Sequence, residues 1–414
     1  MTRKTILLIS DTIIATTTGV GNVAYNIVKN LSHEYDFICI GQNSDKTNHG
    51  QIFDYSSHFG KDCKVLTLDC PYYGDTNTFS FLFSAYKIDA VLLTNDPHFH
   101  EQFFEFNHIV KQKCPIIWYN IWDNYPAPYF NLPKYDSCDT LLNISKLTQD
   151  VVLEVLGDKV ENKIVEYVPH GVDLDVFYPV VKDSKEWFEM RKFKEKVLGN
   201  NPPKFMLFFN SKNISRKNIG TLLEAYKKCL DEGLDIGLFM HTAIKGEYDI
   251  EKYVETIFGK DFDWKNRLFL TNQEKFSTTE LRWLYNICNV TILSSYNEGW
   301  GLSLTESLAC NKPFIAPYIG GIIDQVEASE MYPILETFDV STERVPLYKS
   351  YVSSNDLYWS ISGHYFGEHF VTVDYRKVAE EHFDVKQMTS SISKYVKQTI
   401  DNFVPHKKYT LTKC

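Results

Sequence analysis

Short, almost uninterrupted apolar runs recur along the chain, and stretches of helical spacing or polar character separate them. Thr5–Ser10 is the first run. Phe37–Ile40, Val65–Leu68, Ala90–Leu93, Pro115–Trp118, Thr140–Ile144 and Ile164–Val168 follow it. Between the first two, Val20, Val23, Ala24, Ile27, Val28 and Leu31 fall on one helical face. A strand that is apolar on both faces must be covered on both, and strands separated by helices pair in parallel. The alternation then stops. Asp183–Asn201 is highly charged and ends in Gly199-Asn-Asn-Pro-Pro203. A second series begins at Phe205–Phe209, with a helix around Ile219–Leu230 and runs at Ile236–Met240, Leu268–Leu270, Val290–Leu293 and Pro313–Ala316. The pattern predicts an α/β fold of two Rossmann-like parallel-sheet domains, 1–182 and 204–384, with a linker and surface helix over 183–203. A last helix over Val385–Phe403 starts a C-terminal segment, 385–414, expected to pack back on the N-terminal domain. The aromatic stretch Asp324–Val371 takes no assignment. Ligands of open parallel sheets sit outside the carboxyl ends of the strands. Two such domains facing across a cleft would therefore build one site from the loops of both.

Composition narrows the function. With 414 residues, 44% hydrophobic and 23% charged, the chain can bury two or three cores, which excludes disorder, collagen and a disulfide-rich miniprotein. Its 43 Lys+Arg against 53 Asp+Glu leave a net charge of −10, which argues against a broad nucleic-acid footprint. Aromatic residues at 15% suit either bulky cores or carbohydrate-facing surfaces. The nine cysteines include no C-x-x-C pair and read as reduced thiols, not as a disulfide frame or a zinc site. The apolar core of residues 1–10 is too short for a signal peptide, and no run approaches the length of a membrane span. A cytoplasmic protein without a transmembrane segment is expected.

Three segments can carry chemistry. Gly19-Val-Gly-Asn-Val-Ala24 has the G-x-G-x-x-A spacing of a dinucleotide loop. The loop from the first strand is too long for that turn, however, and Gly41-Gln-Asn43 offers no acid for a ribose, so NAD is not implied. Gly19 and Gly21 either open an ordinary helix or let its N–H groups approach an anion. The second segment, Asn210-Ser-Lys-Asn-Ile-Ser-Arg-Lys-Asn218, lies between a strand and a helix. Lys212, Arg216 and Lys217 are either a solvated basic turn or cations for a diphosphate. The third runs from Asn297 to Gly321. Gly299, Trp300, Gly301 and Leu302 form a turn that can offer N–H donors to an anion or to sugar hydroxyls. Glu298 and Glu306 could each accept from a vicinal diol, although Ser303-Leu-Thr-Glu306 also has the spacing of a capping box. His98 and His100 have metal-like spacing without a third ligand, so no metal is expected.

The frame E-G-x-G-L-x-x-x-E-x-x-A-x-x-x-P over 298–313, ending in Gly320-Gly321, resembles the retaining glycosyltransferases of family 4, which have the GT-B fold. Gly19 and Gly21 match the amino-terminal glycine loop. Asn143–Thr148 is similar to a segment of the acceptor domain. Val168-Pro-His-Gly-Val-Asp173 is similar to the family's P-N-G-V-D turn, with His170 in place of Asn. The resemblance is clear over about 140–321 and thinner before it. It implies that Glu298 sits by the donor sugar's hydroxyls and Glu306 by the nucleotide ribose. Lys212 stands where the family has Arg, with Lys217 five residues on and Arg216 able to compensate. Groups near Leu270–Phe276 would meet the base. An acid or His after a middle strand of the amino-terminal domain would face the sugar; Asp123 is the first candidate, Asp96 the second.

These parts imply a metal-independent, retaining transferase with no bound cofactor. It would move a hexose from a nucleoside diphosphate sugar to a glycan or other hydroxyl acceptor. Family frequency alone favours GDP-mannose over a UDP-hexose. The alternatives are a glycoside hydrolase using Glu298 and Glu306, a non-catalytic nucleotide-sugar-binding protein of the same fold, and a nucleic-acid glucosyltransferase, which the net charge disfavours. The abundance of Asn, Tyr, Phe and Ile suits an AT-rich viral or microbial source, hence a host cytoplasm if viral.

Overall fold

A computed structural model describes residues 3–407 apart from Ala15, Thr17, 43–48, Lys61, Pro71, 263–266, 272–275, 332–333, 335–336, 341–347 and 369–372. The chain divides into two compact units, Met1–Gly171 with Val385–Cys414, and Val172–Asp384.

The first unit is built on strands β1 (Lys4–Asp11), β2 (Tyr35–Gln42), β3 (Ile52–Asp54), β4 (Val65–Cys70), β5 (Ala90–Thr94), β6 (Ile116–Asn120), β7 (Thr140–Asn143) and β8 (Ile164–Tyr167), in the order β3-β4-β2-β1-β5-β6-β7-β8. All neighbours are parallel except β3, which runs antiparallel to β4 on the edge. Sequence spacing misses β3 because it has three residues and only its middle one is half-buried. Leu7 and Ile9, Val91 and Leu93, and Ile116 and Trp118 point to one face of the sheet, where Phe79, Phe103 and Tyr135 cover them. Strand order reverses between β1 and β5, so the crevice at the carboxyl end of this sheet opens beside Asp11 and Asn95. The helix Val385–Asn402 packs in this unit. The Tyr35 hydroxyl lies 3.1 Å from Ser393 Oγ, and Thr140 and Thr399 hydroxyls share a bond of 2.6 Å.

The second unit is a five-stranded, wholly parallel sheet of β9 (Phe205–Asn210), β10 (Ile236–His241), β11 (Leu268–Leu270), β12 (Val290–Ile292) and β13 (Phe314–Ile315), in the order β11-β10-β9-β12-β13. Here the order reverses between β9 and β12. The first unit ends at Gly171 and not at 182, because Val172 N–H donates to Phe383 O at 2.8 Å and Arg376 Nη1 donates to Phe177 O at 2.7 Å. The charged segment 183–201 is not a free linker either. Its helix, Lys185–Leu198, buries Phe193 against Phe276 and Trp283, and Glu186 binds the Arg282 guanidinium. Polar residues cover its outer face, which is why its composition reads as a linker. The unassigned stretch after Asp324 supplies an antiparallel pair, Thr337–Val340 with Tyr348–Tyr351, and a helix, Ser354–Phe366, capped by Ser353 and Asp356. No helix among the described residues is long and apolar enough to cross a membrane.

Candidate active site

In the second unit, the two segments with catalytic residue types leave adjacent strands at the reversal point. After β9 the chain makes a tight turn over Ser215–Lys217, and Asn218 adopts the left-handed conformation (φ 50°, ψ 45°) before the helix Ile219–Asp231. Ser294, following β12, pins this turn by donating to Lys217 O at 3.0 Å and Asn218 O at 3.1 Å. Tyr296 N–H donates to Arg216 O at 2.7 Å, and Tyr296 O accepts from Ser350 N–H at 3.2 Å. The hairpin that sequence spacing did not reveal therefore braces the site.

This bracing brings two cations onto one carboxylate. Glu298 Oε2 accepts from Lys217 Nζ and from Arg216 Nη1, the latter at 3.0 Å, and Arg216 Nη1 also reaches Asn297 O at 2.5 Å. Glu298 and Lys217 are 7% and 6% exposed, so the pair is largely withdrawn from water. Burial pushes the Glu298 carboxyl upward, but Lys217 and then Arg216 outweigh it and hold the group at about 2. A carboxyl lowered in the folded state stabilises above its unfolded value and loses that contribution as pH falls towards 2. We expect the stability gap between the wild type and Glu298→Gln, read from urea midpoints, to be widest at neutral pH and to narrow below about pH 4.5. A gap independent of pH would contradict the ion pairing. Lys212 is exposed after β9 and is not one of the cations on Glu298. Arg216, read from the sequence as a compensating residue, holds that place.

The turn after Glu298 is shaped by close backbone approach. Gly301 is left-handed (φ 82°, ψ 63°) and opens the helix Leu302–Ala309. Gly321 N–H donates to Glu298 O at 3.2 Å. The Trp300 ring does not face this crevice. It is 3% exposed, its Nε1–H donates to Thr305 Oγ1 at 2.8 Å, and it packs on Phe383. The capping box suggested for Ser303 and Glu306 does not form, because the helix is capped two residues earlier, at Gly301. Glu306 is half-buried and accepts instead from the Tyr285 hydroxyl at 2.5 Å. Burial raises its carboxyl to about 7, against the lowering effect of that bond.

The remaining single-residue candidates lie in the first unit. Gly19 and Gly21 open the helix Gly19–Leu31, whose N-cap is Thr18. Gly21 N–H donates to Thr18 Oγ1 at 3.0 Å, and the Thr18 hydroxyl donates in turn to the Asp11 carboxylate. A carboxylate thus already stands at this positive helix end, the place where the sequence suggested an anion. Gly21 is required by close packing, since a Cβ there would lie 2.8 Å from Thr12 O. Asp11 also accepts from Tyr73 at 2.6 Å and from Asn95 at 3.2 Å, a cluster that spacing had no means of revealing. Asp123 is half-buried after β6, and Asp96 follows β5. His100 is buried against Thr94 O, and burial lowers it to about 4. His170 is buried too, its Nδ1 lying 2.8 Å from the Tyr119 hydroxyl. Among the described residues, His98 and His100 belong to no group of three or more metal-ligating side chains. The expected base-contacting stretch, Leu270–Phe276, lies partly outside the described residues.

Residues 190–331 match the family described as Glycosyl transferases group 1. The chain is 24% identical over 176 residues to a probable sucrose-phosphate synthase from Thermosipho melanesiensis, covering 42% of this chain and 36% of that protein. The match thus spans about a third of that relative's length. Two solved structures share the fold over nearly the whole chain. One is HepE from Anabaena in complex with UDP and glucose, with TM-score 0.68, 15% identity, and 96% of this chain and 100% of that one covered. The other is sucrose-phosphate synthase from Thermosynechococcus elongatus, with TM-score 0.69, 16% identity, and 96% and 99% covered. Residues 190–331 are therefore similar to a glycosyl transferases group 1 domain, and the chain has the fold of these glycosyltransferase structures, GT-B, with Rossmann-like parallel-sheet units.

Proposed function

We propose that the chain is a retaining hexosyltransferase that moves a hexose from a nucleoside diphosphate sugar to a hydroxyl acceptor without a divalent ion. The observation that carries this reading is the buried pairing of Lys217 with Glu298, joined from the more exposed side by Arg216, next to the Gly299–Leu302 turn. As the bond from the anomeric carbon to the diphosphate breaks, negative charge collects on the departing phosphate. Cations already fixed there stabilise that charge without reorganising. A single unit pair at 4 Å and an effective dielectric of 20 is worth roughly 4 kcal/mol. Lys212, exposed on the same segment, adds a third positive charge near the phosphates. Glu298 orients the sugar's hydroxyls, and Glu306 accepts from the ribose. In the first unit, Asp123 is assigned to the sugar, and Gly19 and Gly21 to the donor. The HepE structure, which contains UDP and glucose, supports a UDP-hexose donor. The preference for GDP-mannose rests only on how common that donor is in the family.

The split between a carboxyl near 2 and another near 7 also favours a second reading, a glycoside hydrolase with one ionised and one protonated acid. Two cations on Glu298 oppose it, because they withdraw the electron density a nucleophile needs. A thermal-shift panel with UDP, GDP, ADP and their hexoses separates the readings. We expect one nucleoside diphosphate and its sugar to raise the melting temperature, since ligands of the native state stabilise it. Sugar transfer should then persist in EDTA. Sugar release that ignores the nucleotide would establish the hydrolase, and binding without turnover a non-catalytic protein. Activity that requires Mn²⁺ would overturn the metal-independent step.

A further inference from the structure

Glu306 is the end of a hydrogen-bonded chain that runs along the carboxyl edge of the second sheet. β9 and β10 are parallel and in register, so their last residues, Asn210 and His241, are Cα partners. That register places His241 Nδ1 3.0 Å from Asn210 Oδ1. The Asn210 amide donates to the Tyr285 hydroxyl at 2.9 Å, and Tyr285 donates to Glu306 Oε2 at 2.5 Å. Every donor along this path points towards the carboxylate, an arrangement in which each bond polarises the next. Tyr285 comes from the helix Thr278–Ile287, and its ring is held edge-on by Phe208 and Phe177, with centroids 4.9 and 5.8 Å away. It is 1% exposed, so its hydroxyl has little freedom to turn elsewhere. Glu306 itself projects from the first turns of the helix Leu302–Ala309 with no capping role to hold it.

We propose that Tyr285, backed by Asn210 and His241, is the positioning residue that aims Glu306 at the ribose diol of the nucleotide. This rests on the reading that the second unit holds a nucleoside diphosphate. The tyrosine occupies Oε2 and fixes the plane of the carboxylate. Oε1 then faces the ligand, and two adjacent ribose hydroxyls meet an oriented acceptor. Nothing in the E-x7-E frame specifies this, because the residues that hold the second Glu come from β9, β10 and the helix before β12.

The test compares UDP with 2′,3′-dideoxy-UDP by calorimetry, or the guanine pair if GDP is the nucleotide that binds. The wild type should prefer the ribose form by ~10- to 100-fold, the range for hydrogen bonds to a charged acceptor. Tyr285→Phe should bring that preference to within ~3-fold and leave affinity for the dideoxy form unchanged, since a phenyl ring of the same shape keeps the packing. Glu306→Gln should lose the preference too, and the double variant should lose no more than either single one. In turnover, Tyr285→Phe should raise the donor KM and leave kcat within a few-fold. Asn210→Ala, which keeps the tyrosine hydroxyl but removes its backing, should give an intermediate preference and serves as a second test should Tyr285→Phe fold poorly. Full ribose preference in Tyr285→Phe, or in Asn210→Ala where that variant stands in, overturns this inference alone. A wild type that binds neither nucleotide overturns the donor site as well.

Discussion

Glu298→Ala is expected to lower transfer at least ~100-fold, the scale for misplacing a reacting group, and also to lower stability. Most of the fold would be untouched, but the substitution would take from the 6%-exposed Lys217 the carboxylate that balances it. Breaking a buried ion pair from one side costs about 3–5 kcal/mol, because the remaining charge stays withdrawn from water. Lys217→Ala should reduce transfer on the same scale and reduce stability less, since Glu298 keeps Arg216 at 3.0 Å. A bound diphosphate would return negative charge to the vacated place. The nucleotide should therefore raise the melting temperature more in Glu298→Ala than in the wild type. Turnover, urea unfolding, and thermal melting with and without nucleotide read the three effects. A variant that keeps transfer within ~10-fold of the wild type would remove Glu298 from the chemistry.

The second large effect is expected at a residue with no side chain. Gly321 has an ordinary helical φ of −73°, so its backbone does not require glycine. Its surroundings do. A Cβ at this position would lie 2.1 Å from Gly299 O and 2.9 Å from the Trp300 ring. Neither neighbour can yield easily. Gly299 belongs to the turn that carries Glu298, and Trp300 is wedged against Phe383 with its carbonyl accepting from Gln325 at 2.5 Å. Gly321→Ala should cost about 1–3 kcal/mol, the range for overpacking, and lower the melting temperature by several degrees. Because the displaced segment is the turn itself, nucleotide affinity should fall as well. Unchanged melting and activity would mean that the turn has room the structure does not show.

The parts of the fold that were legible in the sequence are those set by local burial. A strand covered on both faces must be apolar throughout, so each run from Thr5–Ser10 to Pro313–Ala316 marks a strand. Segments with less local signal were misread or left blank. β3 sits at an edge with one half-buried side chain, and the pair Thr337–Val340 and Tyr348–Tyr351 lies in a stretch without alternation. The helix Lys185–Leu198 reads as a linker because two residues, Phe193 and Leu198, supply its buried contacts. The unit boundary moved from 182 to 171 for a related reason: hydrogen bonds to 376 and 383, distant in sequence, decide where residues 172–182 belong.

Chemical type and spacing along the chain were enough to single out Glu298, Glu306 and the glycine turn as one segment, because residues so near one another emerge together after β12, while Lys217 was singled out separately in the segment after β9. Which way each side chain points is another matter. Arg216 and not Lys212 lies on Glu298, the Trp300 ring turns into the core, and Asp11 meets the helix end behind Gly19 and Gly21. Those outcomes depend on strand register and on packing between segments up to about eighty residues apart, as Arg216 and Glu298 are. The same register places Asn210 and His241 behind Tyr285, and so determines how Glu306 is held. Spacing along one segment is a property of the sequence; the angle at which a buried carboxylate meets its partners arises only when the sheet is assembled.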